Sequence, residues 1–491
     1  MMGRNSASAA DAKQRGETLF IAVAALLIFL MTTASPVDND TWWHLRAGNE
    51  TWDTGRIPLK DAFSYTRSGA PWVNAFWLSD LGLYGLWNIG GFFAITVATA
   101  LLAVAVMAIL YAQMEGPVSL RGILLLIATA GATANWTPRP QLLSFLLLAI
   151  LDYFLHRHIH IKRQPLWLLT VMFALWGNLH GGFIWGILLL LAVIVGETAN
   201  NLFDNQPGLN WKEIRTLTLW SILAVLAVSF NPNGPALLRL PFQQVDVSLS
   251  IQEWLSPDFH RFYAHPLLWL FFLWIIGLSQ SKNNTSYIDL LKGLGFAYLF
   301  FFAQRNLGPF AVIIAPLAAR ALTQGFGQNP IFTTNIADVF SSRSTSPIPK
   351  QTTTFINIII IGLLGALAWF RAYSVSLPVQ IDSKTPARAV QWVRDNQPRG
   401  PMFNSYNWGG YLTWSLREYP VFIDGRADLY GKEIIVEWHE IANGTDAGYA
   451  ALDKRGINLI FLEPEWPVTK SLSAHGWRLA YQDDQIGIWV R

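Results

Sequence analysis

Two aspartates two residues apart, in Asp38-Asn39-Asp40-Thr41-Trp42-Trp43-His44-Leu45-Arg46, are the residues of this chain best placed to do chemistry. They follow an apolar stretch directly and stand beside two tryptophans. A carboxylate so placed can take a proton from an incoming hydroxyl nucleophile, or hold a divalent ion such as Mg2+ or Mn2+ through oxygen. Arg139, in Asn135-Trp136-Thr137-Pro138-Arg139-Pro140-Gln141, and Arg305, in Gln304-Arg305-Asn306, are permanent cations. Their planar forks suit a phosphate or pyrophosphate. His44 and His180 can donate hydrogen bonds or bind metal, and Trp42, Trp43 and Trp72 offer flat apolar faces to a sugar ring or a prenyl chain. Each residue also has an ordinary use. An aspartate after a span caps the next helix, tryptophans form interface belts, Arg139 anchors a loop, and Arg305 snorkels.

The elements that must position these residues are membrane helices. The chain has 491 residues, 52% of them hydrophobic and 14% charged, against about 25% charged in soluble domains. A net charge of +3 is too small to suggest nucleic-acid binding. The chain has no cysteine, which excludes disulfides, thiolate metal sites and a cysteine nucleophile. Apolar windows near 17–34, 91–113, 121–136, 138–156, 165–178, 182–200, 213–230, 265–280, 287–303, 307–323 and 354–371 give about 11 spans. The first reads as an uncleaved span rather than a signal peptide. The amphipathic segment 76–90 fits an interfacial helix or a half-span.

Basic residues such as Lys13, Arg15, Arg121, Arg157, Lys162, Arg163, Lys212 and Arg215 fall in connections on one side, which places the N-terminus in the cytoplasm. Five polar turns then share the outer face: 38–46, 135–141, 178–182 (with Asn178 and His180), 231–260 and 304–306. Polar groups at membrane depth are costly, so five on one face suggest a site. The tract His156, His158, His160 has metal-like spacing but lies in a basic inner loop. The linker 324–352, rich in Ser, Thr and Pro, reads as a cytoplasmic loop.

After residue 372 the pattern changes to alternating short elements: helices near 386–396, 408–416, 431–442 and 446–455, and strands at 401–404, 420–424, 457–462 and 484–490. This argues an α-helical polytopic membrane domain over 1–372, with a first outer loop at 35–76, and an extracytoplasmic α/β domain over 373–491.

A first span followed at once by an acidic motif in a long outer loop, then many spans, then an external domain, resembles the GT-C glycosyltransferases. These include protein mannosyltransferases, aminoarabinose transferases and oligosaccharyltransferases. The stretch 38–48, with Gly55-Arg56-Ile57-Pro58 and Asp61-Ala62-Phe63-Ser64-Tyr65, is similar to uncharacterised bacterial membrane proteins of this type. The resemblance implies an inverting transferase of hexosyl or pentosyl groups in a bacterial inner membrane. Its donor would be a sugar on a polyprenyl phosphate, its acceptor unknown, with Asp38 or Asp40 as catalytic base. Arg139 and Arg305 would lie at the lipid phosphate, and Trp43, His44, Arg46, Gln141, Asn178 and His180 would line the substrate. Asn407-Trp408-Gly409-Gly410-Tyr411, with Asp424 and Arg426, is faintly similar to the acceptor-binding motif of oligosaccharyltransferases, whose full set of acidic metal ligands is absent here. Turn glycines and capping or pairing of Asp424 and Arg426 at a strand end are the favoured explanation for that stretch. No cofactor is required by the sequence. A transporter or flippase, and a non-catalytic scaffold binding a partner through its external domain, are the competing classes. The first expects charges at mid-membrane and related halves, and the second expects no shared cavity.

Overall fold

The computed structural model describes residues 2–203, 205, 207–240, 252–281, 285–327 and 350–491. Every apolar window folds as a helix: α1 (Met2–Thr32), then α3 (Trp77–Gln113), α4 (Val118–Gly131), α5 (Gln141–His160), α6 (Trp167–Leu179), α7 (Phe183–Leu202), α8 (Trp211–Ala227), α9 (His265–Gln280), α10 (Tyr287–Phe302), α11 (Leu307–Phe326) and α12 (Lys350–Val375). Between the first two lies α2 (Thr41–Thr54), which carries the acidic motif. Among the described residues, seven helical stretches are long and apolar enough to cross a membrane, fewer than the expected number of windows. The 14-residue α4 and the 13-residue α6 are shorter apolar helices. At 1.5 Å per residue such helices fall short of a ~30 Å hydrocarbon core. Both run into polar turns that take over their ends.

α11 is the axis of the bundle: its span window is 89% buried, whereas that of α12 is 11% buried and faces outward. Close approach is built from small residues. A Cβ on Gly277 of α9 would meet the backbone of Ala321 at 2.6 Å, so the two helices touch backbone to backbone. Within α3 the helix breaks at Gly90 (φ −164°, ψ 27°) and Gly91 (φ 57°, ψ −144°). Segment 76–90 is therefore the leading half of a broken helix.

Beyond α12 come α13 (Pro378–Asp382), α14 (Ala387–Asn396), β1 (Met402–Asn404), α15 (Gly409–Ser415), α16 (Ala427–Ala442), α17 (Asp446–Lys454), β2 (Leu459–Leu462), β3 (Arg478–Gln482) and β4 (Gly487–Val490). The sheet order is β1-β2-β4-β3. β1 pairs parallel to β2 (Met402 opposite Leu459), and β2–β4 and β3–β4 are antiparallel. β3 is not among the expected strands. It is a half-exposed edge strand and lacks a clean apolar alternation.

The expected strand at 420–424 is not a strand. Val421 instead forms a parallel bridge with Ser64 of the first loop, donating to the Phe63 carbonyl (3.0 Å) and accepting from the Tyr65 amide (3.1 Å). The first loop is thus woven into the C-terminal unit, and both lie on one side of the bundle. α12 runs to Val375, a few residues past the expected boundary. Of the expected linker 324–352, α11 takes 324–326, α12 takes 350–352, and 328–349 lies outside the described residues.

Candidate active site

α2 sets the first wall. Asp40 occupies its N-cap position but makes no side-chain capping bond, so the capping explanation fails for it. Asp38 takes the cap-like bond instead, its Oδ1 accepting from the Asp40 amide at 3.0 Å. Residues three and four apart share a helix face. Asp40, Trp43 and His44 therefore point together: Trp43 Nε1 donates to Asp40 Oδ1 (3.0 Å), and the Trp43 and His44 rings lie 3.6 Å apart. His44 is fixed from behind by Asp80 of α3, with 2.6 Å between Nδ1 and Oδ1. Two residues further on, Arg46 has turned away from that face. It pairs with Glu50 (3.3 Å) and lies over Phe63.

Arg139 closes the next side. Its guanidinium reaches Asp38 (2.6 Å), Asp40 (3.2 Å) and Glu253 (3.3 Å). Arg305 stands with its guanidinium 4.1 Å from the ring centroid of Trp254. These groups line a cavity of about 630 Å3. All five polar turns contribute to it: Asn39, Asp40, Trp43 and His44; Asn135, Arg139 and Gln141; His180; Glu253 and Trp254; Gln304 and Arg305. Asp38 is not on its wall. Asn178 is also absent, because its amide is spent on the Phe230 carbonyl (2.7 Å) and its carbonyl on Trp77 Nε1 (2.8 Å).

The C-terminal unit supplies the roof through Tyr406, Asn407, Asp428, Trp438, His439 and Trp466. It docks by glycine. A Cβ on Gly410 would meet the Asn39 carbonyl at 2.3 Å, and one on Gly425 would meet Asp40 Oδ1 at 2.0 Å. The four residues singled out for an acceptor are not on this wall. Trp408 is half-buried against Tyr411, and Tyr411 packs edge-on against Trp42 (4.8 Å), facing a different cavity. Asp424 and Arg426 are fully buried as a brace: Arg426 pairs with Asp424 (2.7 Å) and with Asp61 of the first loop (2.9 Å), under Phe63 and Trp72. The glycines and the ion pair therefore hold the first loop against the C-terminal unit, a role beyond the turn and strand-end pairing expected for that stretch.

Burial pushes the Asp40 carboxyl up to about 6; Arg139 opposes the shift, and Asp38 and Glu253 add to it. Burial alone does most of the same for Asp428, also raised to about 6. His180 is lowered to about 3 by burial and then by the Arg305 charge, so its imidazole is neutral. Its Nδ1 accepts from the Gly182 amide (2.8 Å) and meets Ser144 Oγ (2.7 Å). Arg139, despite its burial, is held well above the usual range by its three carboxylates.

A divalent ion, one of the two roles open to the acidic motif, finds no ready set of ligands among the described residues. Among the described residues no group of three or more His, Asp or Glu is placed to share an ion. Where carboxylates do converge, a guanidinium already supplies the positive charge. The inner tract is not a metal group either: His156 lies 3.0 Å from an Arg320 nitrogen, and His158 Nδ1 accepts from the Gln164 amide (2.9 Å).

No protein-family profile matches the chain, and no curated protein is detectably similar in sequence. Solved structures are similar in fold. The oligosaccharyltransferase AglB of Archaeoglobus fulgidus, with an inhibitory peptide and a dolichol-phosphate, aligns at TM-score 0.57 over 92% of this chain and 70% of its own, at 13% identity. The same enzyme tethered to an acceptor peptide gives 0.56, 91%, 69% and 14%. The chain has the GT-C fold. Its polytopic helical bundle with a C-terminal domain matches the GT-C architecture along nearly its whole length, and the cavity described above lies where the GT-C bundle meets that domain.

Signals for what the sequence reading missed were faint. Glu253 lay in a recognised polar turn, but nothing marked it as a partner of Arg139. Asp428 and His439 sit on an ordinary amphipathic helix, and only the docking of the two units aims them at the cavity.

Proposed function

We propose that this protein is a membrane glycosyltransferase, moving a sugar from a lipid-phosphate donor to an acceptor on the outer face of a cell membrane, with Asp40 as general base. The observation that carries the reading is that Asp40 and Arg305 both line one cavity. Asp40 is held by Trp43 and Arg139 and ionises near 6, which suits a base working near neutral pH. Arg305 supplies a cation to the same space.

The step is a single displacement. The acceptor oxygen attacks the anomeric carbon, and its proton passes to Asp40. The bond from that carbon to the donor phosphate oxygen breaks, and the lipid phosphate leaves with the electron pair. Attack opposite the leaving group inverts the anomeric centre. Asp38, spent on Arg139 and the Asp40 amide, positions the base. Arg305, with Arg139 behind it, stabilises charge as the phosphate departs. Like AglB, whose structures hold a dolichol-phosphate and a peptide acceptor, this chain would bring a lipid carrier and an acceptor together at the domain junction. The donor is a hexose or pentose on a polyprenyl carrier, the N-terminus is cytoplasmic, and the membrane is a bacterial inner membrane. Residues 1–375 form the transmembrane unit and 376–491 the external one.

The test is transfer or donor hydrolysis in proteoliposomes loaded with polyprenyl-phosphate sugars. The near-isosteric Asp40→Asn should lose about 10²–10⁴-fold while keeping the wild-type melting curve. Wild-type turnover in that variant would refute the assignment.

A further inference from the structure

A second cavity, of about 740 Å3, lies on the other side of α2. Its walls are aromatic: Trp42, Trp87, Phe92, Trp369, Tyr411 and Trp414. The break at Gly90 and Gly91 opens one flank, and the end of α12 forms another. Trp369 and Tyr373 of that span are 63% and 53% exposed, so the mouth is reached from the bilayer. Trp42 is 3% exposed and its Nε1–H has no partner. A buried indole donor without an acceptor is costly, and the cavity is where an acceptor would come from. At the rim Asp382 is exposed, with no ion-pair partner among the described residues.

We propose that this cavity is a binding site for one glycerophospholipid carrying an ammonium headgroup. An acyl chain fills the aromatic slot, an ester oxygen accepts from Trp42 Nε1, and the headgroup ammonium pairs with Asp382. An isoprenoid chain has no acceptor for Trp42, and an anionic headgroup would meet the Asp382 carboxylate, so the donor carrier and acidic lipids fit less well. The volume is that of a ligand site, and its polar groups are few and placed at one wall and the rim. The lipid would bear on the active site through Trp42, whose neighbour Trp43 holds Asp40. The inference stands on this cavity alone and not on the glycosyl-transfer reading.

Native mass spectrometry of the full-length protein, stripped of lipid in detergent, tests it by titration with phosphatidylethanolamine and with phosphatidylglycerol of the same chains. One phosphatidylethanolamine should bind at least tenfold more tightly than phosphatidylglycerol. Asp382→Asn, at an exposed position, should erase that preference, and Ser376→Trp should cut occupancy by both lipids about tenfold. The proposal falls if Asp382→Asn leaves the preference intact, or if a folded Ser376→Trp protein binds as wild type does. It also falls if undecaprenyl phosphate displaces the phospholipid at equal concentration, since the slot would then belong to the carrier.

Discussion

Replacing Gly425 by alanine adds one methyl group, and the geometry says where it goes. The new Cβ would stand 2.0 Å from Asp40 Oδ1 and 3.1 Å from Trp43 Nε1. Real Cβ atoms essentially never approach a neighbour closer than 3.0 Å, so the carboxylate must retreat by about 1 Å or the domain must lift. Gly425 has an ordinary φ, so the backbone adds no strain. A 1 Å misplacement of a reacting group costs about 10²-fold in rate, while overpacking of this size costs about 1–3 kcal/mol in stability. Turnover should therefore fall about a hundredfold, with only a modest drop in melting temperature. The pH profile should move as well. The Trp43 hydrogen bond and the Arg139 charge both favour the ionised carboxylate, so weakening them raises the Asp40 pKa, and the acid limb shifts to higher pH. Steady-state transfer in proteoliposomes across pH 5–8 reads both effects. If Gly425→Ala keeps wild-type turnover and an unshifted limb, Asp40 is not the base.

In the wild type the base must be ionised, so turnover should fall as pH drops through about 6 and level off above it; a pH–rate series checks this, and a flat profile down to pH 5 contradicts it. Arg426→Met leaves Asp61 and Asp424 buried without their shared cation. Breaking such a pair costs about 3–5 kcal/mol, so limited proteolysis should cut the 55–76 loop much faster than in wild type, and an unchanged cleavage rate would count against the brace.

The bundle was legible because burial in lipid is written in long apolar runs, and each expected window is a helix. The cavity wall was legible for the same reason in reverse: polar turns such as 135–141 are conspicuous against that background. What resisted reading is contact between distant segments. Asp61-Ala62-Phe63-Ser64-Tyr65 looks like a loop motif, but Asp61 caps the Phe63 and Ser64 amides and pairs with Arg426, while Tyr65 bonds to the Met402 carbonyl. Nothing local announces partners on the far side of the chain. Likewise Gly410 reads as a turn glycine, and Gly425 carries no local signal, although their work is to let one backbone and one carboxylate approach another unit. The split between Asp38 and Asp40 depends on where Arg139 arrives, and a two-residue spacing cannot reveal that.

The weaving of the first loop into the C-terminal unit also sets an order of events during biosynthesis. Arg67 bonds to the Tyr430 carbonyl across 363 residues of chain. At about 5–20 residues per second, the loop is made roughly 20–70 s before its partner. Until then Asp61 has no Arg426, Val421 has not closed on Ser64, and Gly425 is not yet against Asp40. A ribosome that stalls in the middle of the chain therefore releases a helical bundle whose cavity is unroofed. The cavity is complete only once the last quarter of the chain has been translated, so a truncated product would lack its roof.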